Sequence, residues 1–204
     1  AARDIIQACD ALGLTYTVEE GEAAFYGPKL DFIFRDALKR NWQLGTVQVD
    51  YNLPERFELE YVAEDGSRQR PVMIHRAPFG SLERFIGILI EHFNGAFPPW
   101  LSPVQVLLIP ITDRHVPYAE SVAAKLADVG IRAEVNSGKA RMGAKIAIGR
   151  EQHIPWMLIM GDRDVEANAV SVRLRTDEDL GSMPVDEFIA LAKRVIDEKS
   201  LSLS

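Results

Sequence analysis

The chain has 204 residues, 47% of them hydrophobic and 26% charged, which excludes a largely disordered polypeptide and leaves room for one large domain or two small ones. Acidic residues outnumber basic ones 30 to 23, for a net charge of −7, so this is not a protein that coats nucleic acid by general phosphate neutralisation. A single cysteine, Cys9, excludes a disulfide framework or a multi-thiolate site within the chain and points to a reducing, cytoplasmic setting.

The opening segment, AARDIIQACD, has neither the basic nor the apolar region of a secretory signal. It starts with Ala rather than Met, so a processed chain or a piece of a longer protein is expected. No apolar run nears the roughly 20 residues that span a bilayer, and no membrane partner is expected. Ile5, Ile6, Cys9 and Leu12 recur at helical spacing before Gly13, which makes Cys9 a small buried hydrophobe rather than a nucleophile. Strands are expected at 30–34, 43–50, 57–63 and 72–76, with turns at Asn52-Leu53-Pro54 and Glu64-Asp65-Gly66-Ser67. Short turns between successive strands imply an antiparallel sheet. From Ser81 to His92 a helix carries Leu82, Phe85, Ile86, Leu89 and Ile90 on a broad apolar face. The prolines of FPPWLSP then halt regular structure, and residues 98–103 are read as a linker between domains 1–97 and 104–204. The second domain reads as strand 104–109, helix 117–128, strand 131–135, helix 142–151, strands 156–160 and 169–175, and a last helix from Pro184 to Lys199. That order predicts a mixed, mainly parallel sheet with helices on its faces.

Among residues that could carry chemistry, Gly80-Ser81-Leu82-Glu83-Arg84 follows a strand and opens a helix. A helix start favours an anion, and Arg84 could grip a phosphate with two parallel bonds. Apolar neighbours Phe79, Leu82, Phe85 and Ile86 suggest that Glu83 and Arg84 are held against the sheet; the plain alternative is that both face solvent. In Tyr26-Gly27-Pro28-Lys29 a rigid turn could aim Tyr26 and Lys29 toward one mouth of the sheet. Gln43 and Gln48 are five positions apart on one strand, so parity alone sends them to opposite faces, and a buried Gln needs a hydrogen-bond partner. His75 ends a strand, but no HxH, HxxxH or CxxC spacing completes a metal site here. Gly138 to Arg150 holds Lys139, Arg141, Lys145 and Arg150 with no acid before Glu151, either a solvated helix face or a phosphate-binding patch.

Together AFYGPKLDF, NWQLGTVQVDYNLPERFELEYV, PVMIHRAPFGSLERFIGILIEHF and FPPWLSPVQVLLIPITD resemble the threonyl branch of the class II aminoacyl-tRNA synthetases over nearly the whole chain. GSLERF is similar to the motif 3 shared by the class, whereas AFYGPK, WQLGTVQ and the His before GSLER are more specific. The resemblance implies an α+β antiparallel-sheet catalytic domain, present in part, followed by an α/β mixed-sheet anticodon-binding domain. It implies ATP-dependent activation of L-threonine and transfer to tRNA(Thr), with Mg2+ accompanying ATP and a homodimer in the whole protein. Arg84 is then the catalytic arginine on the ATP γ-phosphate, Gln43 and Lys29 further contacts to ATP or the adenylate, and Tyr26 and Gln48 substrate-pocket residues beside threonine. His75 is one of three ligands of a Zn2+ ion that binds threonine through its amino and hydroxyl groups. Such a site rejects valine where an apolar pocket would not.

In the second domain Arg173 matches an arginine used on anticodon bases, Asp164 holds an acidic position nearby, and Lys145 and Arg141 belong to the basic segment. Ala147 stands where the family places an anticodon-contacting arginine, so the patch is expected to hold phosphates more than to read bases. Motifs 1 and 2 and the other two zinc ligands are absent from the sequence, so the chain alone is expected to be catalytically incomplete. The alternative reading is a non-catalytic synthetase paralogue acting as a tRNA-binding or regulatory module.

Overall fold

The computed structural model describes residues 2–204, which form two compact units, one ending at Ile88 and the other running from Leu89 to Ser204. In the first, helix α1 (Ala2–Ala11) buries Cys9 and is followed by Gly13 at φ +64°. Strands β1 (Lys29–Arg35) and β2 (Asn41–Asp50) pair antiparallel; helix α2 (Asn52–Arg56), a two-residue hairpin of β3 (Tyr61–Val62) and β4 (Arg68–Gln69), and β5 (Met73–Ala77) follow. The sheet order is β1-β2-β5, all antiparallel, as expected from the short connections.

Two local expectations fail. The turn at 52–54 is the first part of α2, because the Asp50 carboxylate accepts the Asn52 and Leu53 backbone N–H groups at 2.8 and 3.0 Å. Pro54 within that turn lacks a donor that would in any case be unpaired. Of the strand expected over 57–63, only Tyr61–Val62 pairs.

Helix α3 (Leu82–Phe93) leads to the second unit, where β6 (Val106–Pro110), a 3-10 turn (Asp113–His115), α4 (Val116–Asp128), β7 (Ala133–Val135), α5 (Met142–Glu151), β8 (Trp156–Met160), α6 (Asp162–Ala167), β9 (Ala169–Leu174), β10 (Asp179–Pro184) and α7 (Val185–Asp197) follow. The sheet order is β10-β9-β8-β6-β7. Half of its pairings are parallel, β6 with β7 and with β8, while β8–β9 and β9–β10 are antiparallel. The sheet is therefore evenly mixed rather than mainly parallel. One face packs α4 and α7 through Val106, Leu108, Leu126, Trp156, Val172 and Phe188; the other packs α5 through Leu107, Ile109, Ile146 and Met157. At Gly149 a Cβ would sit 2.8 Å from the Met157 sulfur, so a residue without a side chain lets α5 close onto the sheet.

The proline-rich segment is docked, not free. Arg175 donates to the carbonyls of Ala96, Phe97 and His153 (3.0, 2.5 and 3.1 Å), Gln105 bonds the Pro99 carbonyl at 2.8 Å, and Arg132 bonds that of Ser102 at 2.7 Å. These bonds tie residues 96–102 to the second unit, which begins at Leu89.

Candidate functional site

Alternation along β1, β2 and β5 sorts their side chains by character. Lys29 pairs with Gln48, Asp31 with Thr46, and Gln48 in turn with His75, so these polar groups share one face, with Asp50 two residues from Gln48. Leu30, Phe32, Val47, Val49 and Ile74 take the other. Gln43 breaks the parity. Phe32 pairs with Gly45 but Ile33 pairs with Gln43, leaving Leu44 as a bulged residue. One extra residue flips every side chain beyond it, so Gln43 joins Gln48 on the polar face instead of opposing it. Its amide donates to Asp31 Oδ1 at 2.8 Å.

Lys29 reaches the same carboxylate, Nζ to Oδ2 at 2.7 Å. Burial works to raise the Asp31 carboxyl, but the bonds from Lys29 and Gln43 outweigh it and hold it below its ordinary range. The bond to Asp31 in turn raises Lys29, keeping it a cation. Asp31, which motif reasoning passed over, thus gathers two of the three side chains expected to meet ATP, Lys29 and Gln43 but not Arg84. Its signal was an acid alternating in phase with Lys29.

Tyr26 is set by Gly27, whose φ is +155° and where a Cβ would lie 2.0 Å from the Val49 carbonyl oxygen. That approach, with Val49 N–H to Pro28 O at 3.0 Å and Tyr51 N–H to Tyr26 O at 3.2 Å, lays the segment along β2. The Tyr26 hydroxyl donates to Gln48 Oε1 at 2.9 Å, and its ring meets the His75 ring edge-on with centroids 6.2 Å apart. His75 Nε2 is 2.8 Å from Asp50 Oδ2. Tyr26, Gln48 and His75 are therefore brought together, with Asp50 as a fourth member.

Gly80, at φ +63°, holds the start of α3 against β2: a Cβ there would meet the Leu44 carbonyl oxygen at 2.9 Å. Ser81 Oγ accepts the Arg84 backbone N–H at 3.3 Å and donates to Glu83 at 2.7 Å, a bond that lowers the Glu83 carboxyl. Both Glu83 and Arg84 are exposed. The expectation that they lie against the sheet is not met, since Phe79 stacks on Phe85 (4.7 Å, 20°) and leaves the charged pair outside. Among the described residues no ion pair engages Arg84, and no hydrogen bond joins it to Tyr26, Gln48 or His75.

A zinc ion fits His75 as a single ligand: one ring nitrogen is bonded to a carboxylate and, among the described residues, no hydrogen bond engages the other. Groups of three or more His, Cys, Asp or Glu suited to a metal do not occur among the described residues.

In the second unit, Arg173 pairs in register with Met157 and Ser171 with Ile159, which puts them on the α5 side of the sheet. Asp164 is nearly buried and fully engaged. Its Oδ2 accepts the Gly161 N–H at 3.0 Å, and its Oδ1 accepts the hydroxyls of Ser171 and Ser182 at 2.9 and 3.1 Å. Arg173 is half-buried, with its Nε lacking a hydrogen-bond partner and its other nitrogens 3.7 and 3.6 Å from Asp177 and Asp179. Lys145 is buried, donating to the Pro110 and Asn136 carbonyls at 3.1 and 2.9 Å, which ties the ends of β6 and β7 together. Two acceptors leave an ammonium one further donor. It borders a small crevice of about 70 Å³ lined also by Thr112, Asp113, Gly138 and Lys139. Arg141 precedes α5 and is exposed, as is Ala147.

Comparison with known proteins follows the same division. Residues 3–93 match the model of the tRNA synthetase class II core domain (G, H, P, S and T), and residues 105–194 that of the anticodon binding domain. The chain is 61% identical over 197 residues to a threonine–tRNA ligase of Gloeobacter violaceus, covering 93% of this chain and 31% of that one. It is 55% identical over 201 residues to a threonine–tRNA ligase of Thermus thermophilus, covering 98% and 30%. The chain thus spans about a third of the length of the curated relatives it matches. A crystal structure of the RNA binding domain of threonyl-tRNA synthetase from Cryptosporidium parvum superposes with a TM-score of 0.84 at 34% identity, over 95% of this chain and 49% of that one.

Proposed function

The chain belongs to the threonine–tRNA ligase family of class II aminoacyl-tRNA synthetases, and from that premise we propose that it supplies part of an adenylation site and a tRNA-binding domain. The whole enzyme would activate L-threonine with Mg-ATP, forming threonyl-adenylate and pyrophosphate, and then esterify the 3′ end of tRNA(Thr) in the cytoplasm. The observation that carries this reading is the single polar sheet face on which Lys29, Asp31 and Gln43 adjoin Tyr26, Gln48 and His75.

Adenylation needs no protein nucleophile; it needs fixed cations and dipoles where charge develops on the phosphates. Arg84, unpaired and exposed on the first turn of α3, is free to take the γ-phosphate. Lys29 and Gln43 are held by Asp31 until a nucleotide competes for them. Tyr26 and Gln48 border the threonine pocket, with the Gln48 amide protons left over for a ligand. A zinc ion held by His75 and two ligands from outside this chain would bind the amino and hydroxyl groups of threonine. Motif 1, and with it the expected homodimer contact, and motif 2 would come from the rest of the protein. On the second unit Arg173 offers an underused guanidinium to RNA, Arg141 and the spare Lys145 donor suit phosphates, and Asp164 holds the β9–β10 surface in shape.

The test is pyrophosphate exchange in the complete protein. Arg84→Ala should abolish exchange at fixed threonine, and the 204-residue chain alone should show negligible exchange. Undiminished exchange by Arg84→Ala would remove the assignment of Arg84, and full activity of the chain alone would remove the partial-site reading. A second reading, a tRNA-binding module without catalysis, is favoured by Ala147 in the basic segment; it predicts that the complete protein binds tRNA(Thr) yet performs no exchange.

A further inference from the structure

Asp50 is a group that motif reasoning did not select. It is the last residue of β2, and its side chain is 2% exposed. A carboxylate so placed needs its lone pairs filled, and the partners divide cleanly between the two oxygens. Oδ1 accepts the backbone N–H groups of Asn52 and Leu53 at 2.8 and 3.0 Å; Oδ2 lies 2.8 Å from His75 Nε2. The two backbone donors lock the carboxylate plane, since the chain turns into α2 around them. An ionised carboxylate only accepts, so the 2.8 Å contact requires the proton on Nε2. In a neutral imidazole the lone pair then sits on Nδ1, which no hydrogen bond engages among the described residues. The His75 side chain is 39% exposed, and it stands beside Tyr26 and Gln48 on the polar face.

We propose that Asp50 is the positioning residue of this site: it fixes His75 in the Nε2–H tautomer, with the ring held so that Nδ1 is the nitrogen offered to a metal ion. The proposal rests on the reading of His75 as a zinc ligand, which it deepens by naming the ligating atom and the group that orients it. Carboxylate–imidazole–metal arrangements of this kind orient the ring and raise its basicity. Were Nε2 the ligand atom instead, Asp50 would occupy its place.

The tautomer is observable without metal. In the nitrogen-15-labelled chain, at a pH where a free imidazole is neutral, long-range proton–nitrogen correlation should show His75 Nε2 protonated and Nδ1 bare. In Asp50→Asn the amide oxygen can keep the α2 bonds while the NH2 donates to Nε2, so the tautomer should invert. Asp50→Glu retains an acceptor and should preserve Nε2–H. In the complete zinc-loaded protein, chelator competition should show Asp50→Asn binding zinc about 10–100-fold more weakly. A wild-type spectrum with the proton on Nδ1, which needs no variant to fold, overturns the proposal, as does an unchanged tautomer in a folded Asp50→Asn. Zinc affinity lost in His75→Ala but kept in Asp50→Asn rejects the positioning role alone. Zinc kept in His75→Ala rejects the ligand reading, and the tautomer measurement still stands by itself.

Discussion

Gly27→Ala probes the link between backbone geometry and the proposed threonine pocket. The added Cβ would start 2.0 Å from the Val49 carbonyl oxygen, an atom fixed within the β2 ladder. Bringing that separation to about 3 Å, near the closest approach of non-bonded carbon and oxygen, requires a displacement of about 1 Å. The flexible partner is the Tyr26–Pro28 segment, tethered by the Val49–Pro28 and Tyr51–Tyr26 backbone bonds. Moving it by 1 Å stretches the 2.9 Å Tyr26–Gln48 bond beyond hydrogen-bonding range. Misplacement on this scale costs on the order of 100-fold in rate, and the positive φ adds strain of about 1–3 kcal/mol. In the complete protein, threonine-dependent pyrophosphate exchange should therefore lose about 100-fold in kcat/KM. Denaturant unfolding of the first unit should shift by at least that strain. Gly13→Ala is the control: its φ is +64° with no atom within 4 Å of a Cβ, so it should carry strain without touching exchange. Gly27→Ala with parental kcat/KM would refute the claim that this close approach sets Tyr26.

Asp36 accepts bonds from Trp42 Nε1 at 2.9 Å and from the Arg40 backbone and side chain at 2.8 and 2.5 Å, which hold its carboxyl down at about 2. A depressed folded value means that its stabilisation of the β1–β2 hairpin is present above the ordinary carboxylate range and lost as pH falls toward 2; amide chemical shifts of 35–42 should titrate in that window and cease to do so in Asp36→Asn. Phe188 is 0% exposed and packs edge-on to Trp156 at 5.8 Å, so Phe188→Ala should cost about 3–5 kcal/mol in chemical denaturation of the second unit, and a change below about 1 kcal/mol would contradict the packing described. Arg173→Ala should weaken tRNA(Thr) binding in filter or fluorescence titration, and Ala147→Arg should raise selectivity over other tRNAs; if neither moves, this surface does not read the anticodon.

Much of this was legible in the sequence because the periods were long and clean. Strand Trp156–Met160 falls where its apolar run placed it, helix Met142–Glu151 has the bounds expected of it, and Cys9 is buried as a small hydrophobe should be. The elements missed were those whose signal is not periodic. Helix α6 has six residues and one large apolar side chain, Val165, and its start is held by Asp164. Strand β10 reads DLGSMP, with Gly181 and Pro184 against it; it exists as an edge strand with its proline at the end, where a missing donor is tolerated. Helix α2 depends on Asp50, two residues upstream, which a window reading treats as the end of a strand. At the candidate site, the residues together with the family resemblance they carry pointed to Tyr26, Gln43, Gln48 and His75 but not to the carboxylates that organise them.

Those two carboxylates explain why the site resisted a reading from motifs. Motif positions are the side chains that meet a ligand, whereas Asp31 and Asp50 meet other side chains, and their partners are set by register. The Leu44 bulge is decisive: without it Gln43 would lie with Phe32 and Val47 on the apolar face, and Asp31 would hold Lys29 alone. With it, one acid collects an amide and an ammonium at one end of the polar face, while the second acid fixes an imidazole at the other. Nothing in the local composition around Leu44 announces the extra residue, but Gly45 and Gly80 mark the place. A Cβ on Gly45 would lie 3.1 Å from the Pro78 carbonyl oxygen, and one on Gly80 2.9 Å from that of Leu44. The chain that leads into α3 thus crosses β2 at the bulge, so the irregularity that turns Gln43 onto the polar face also fixes where the arginine-bearing helix begins.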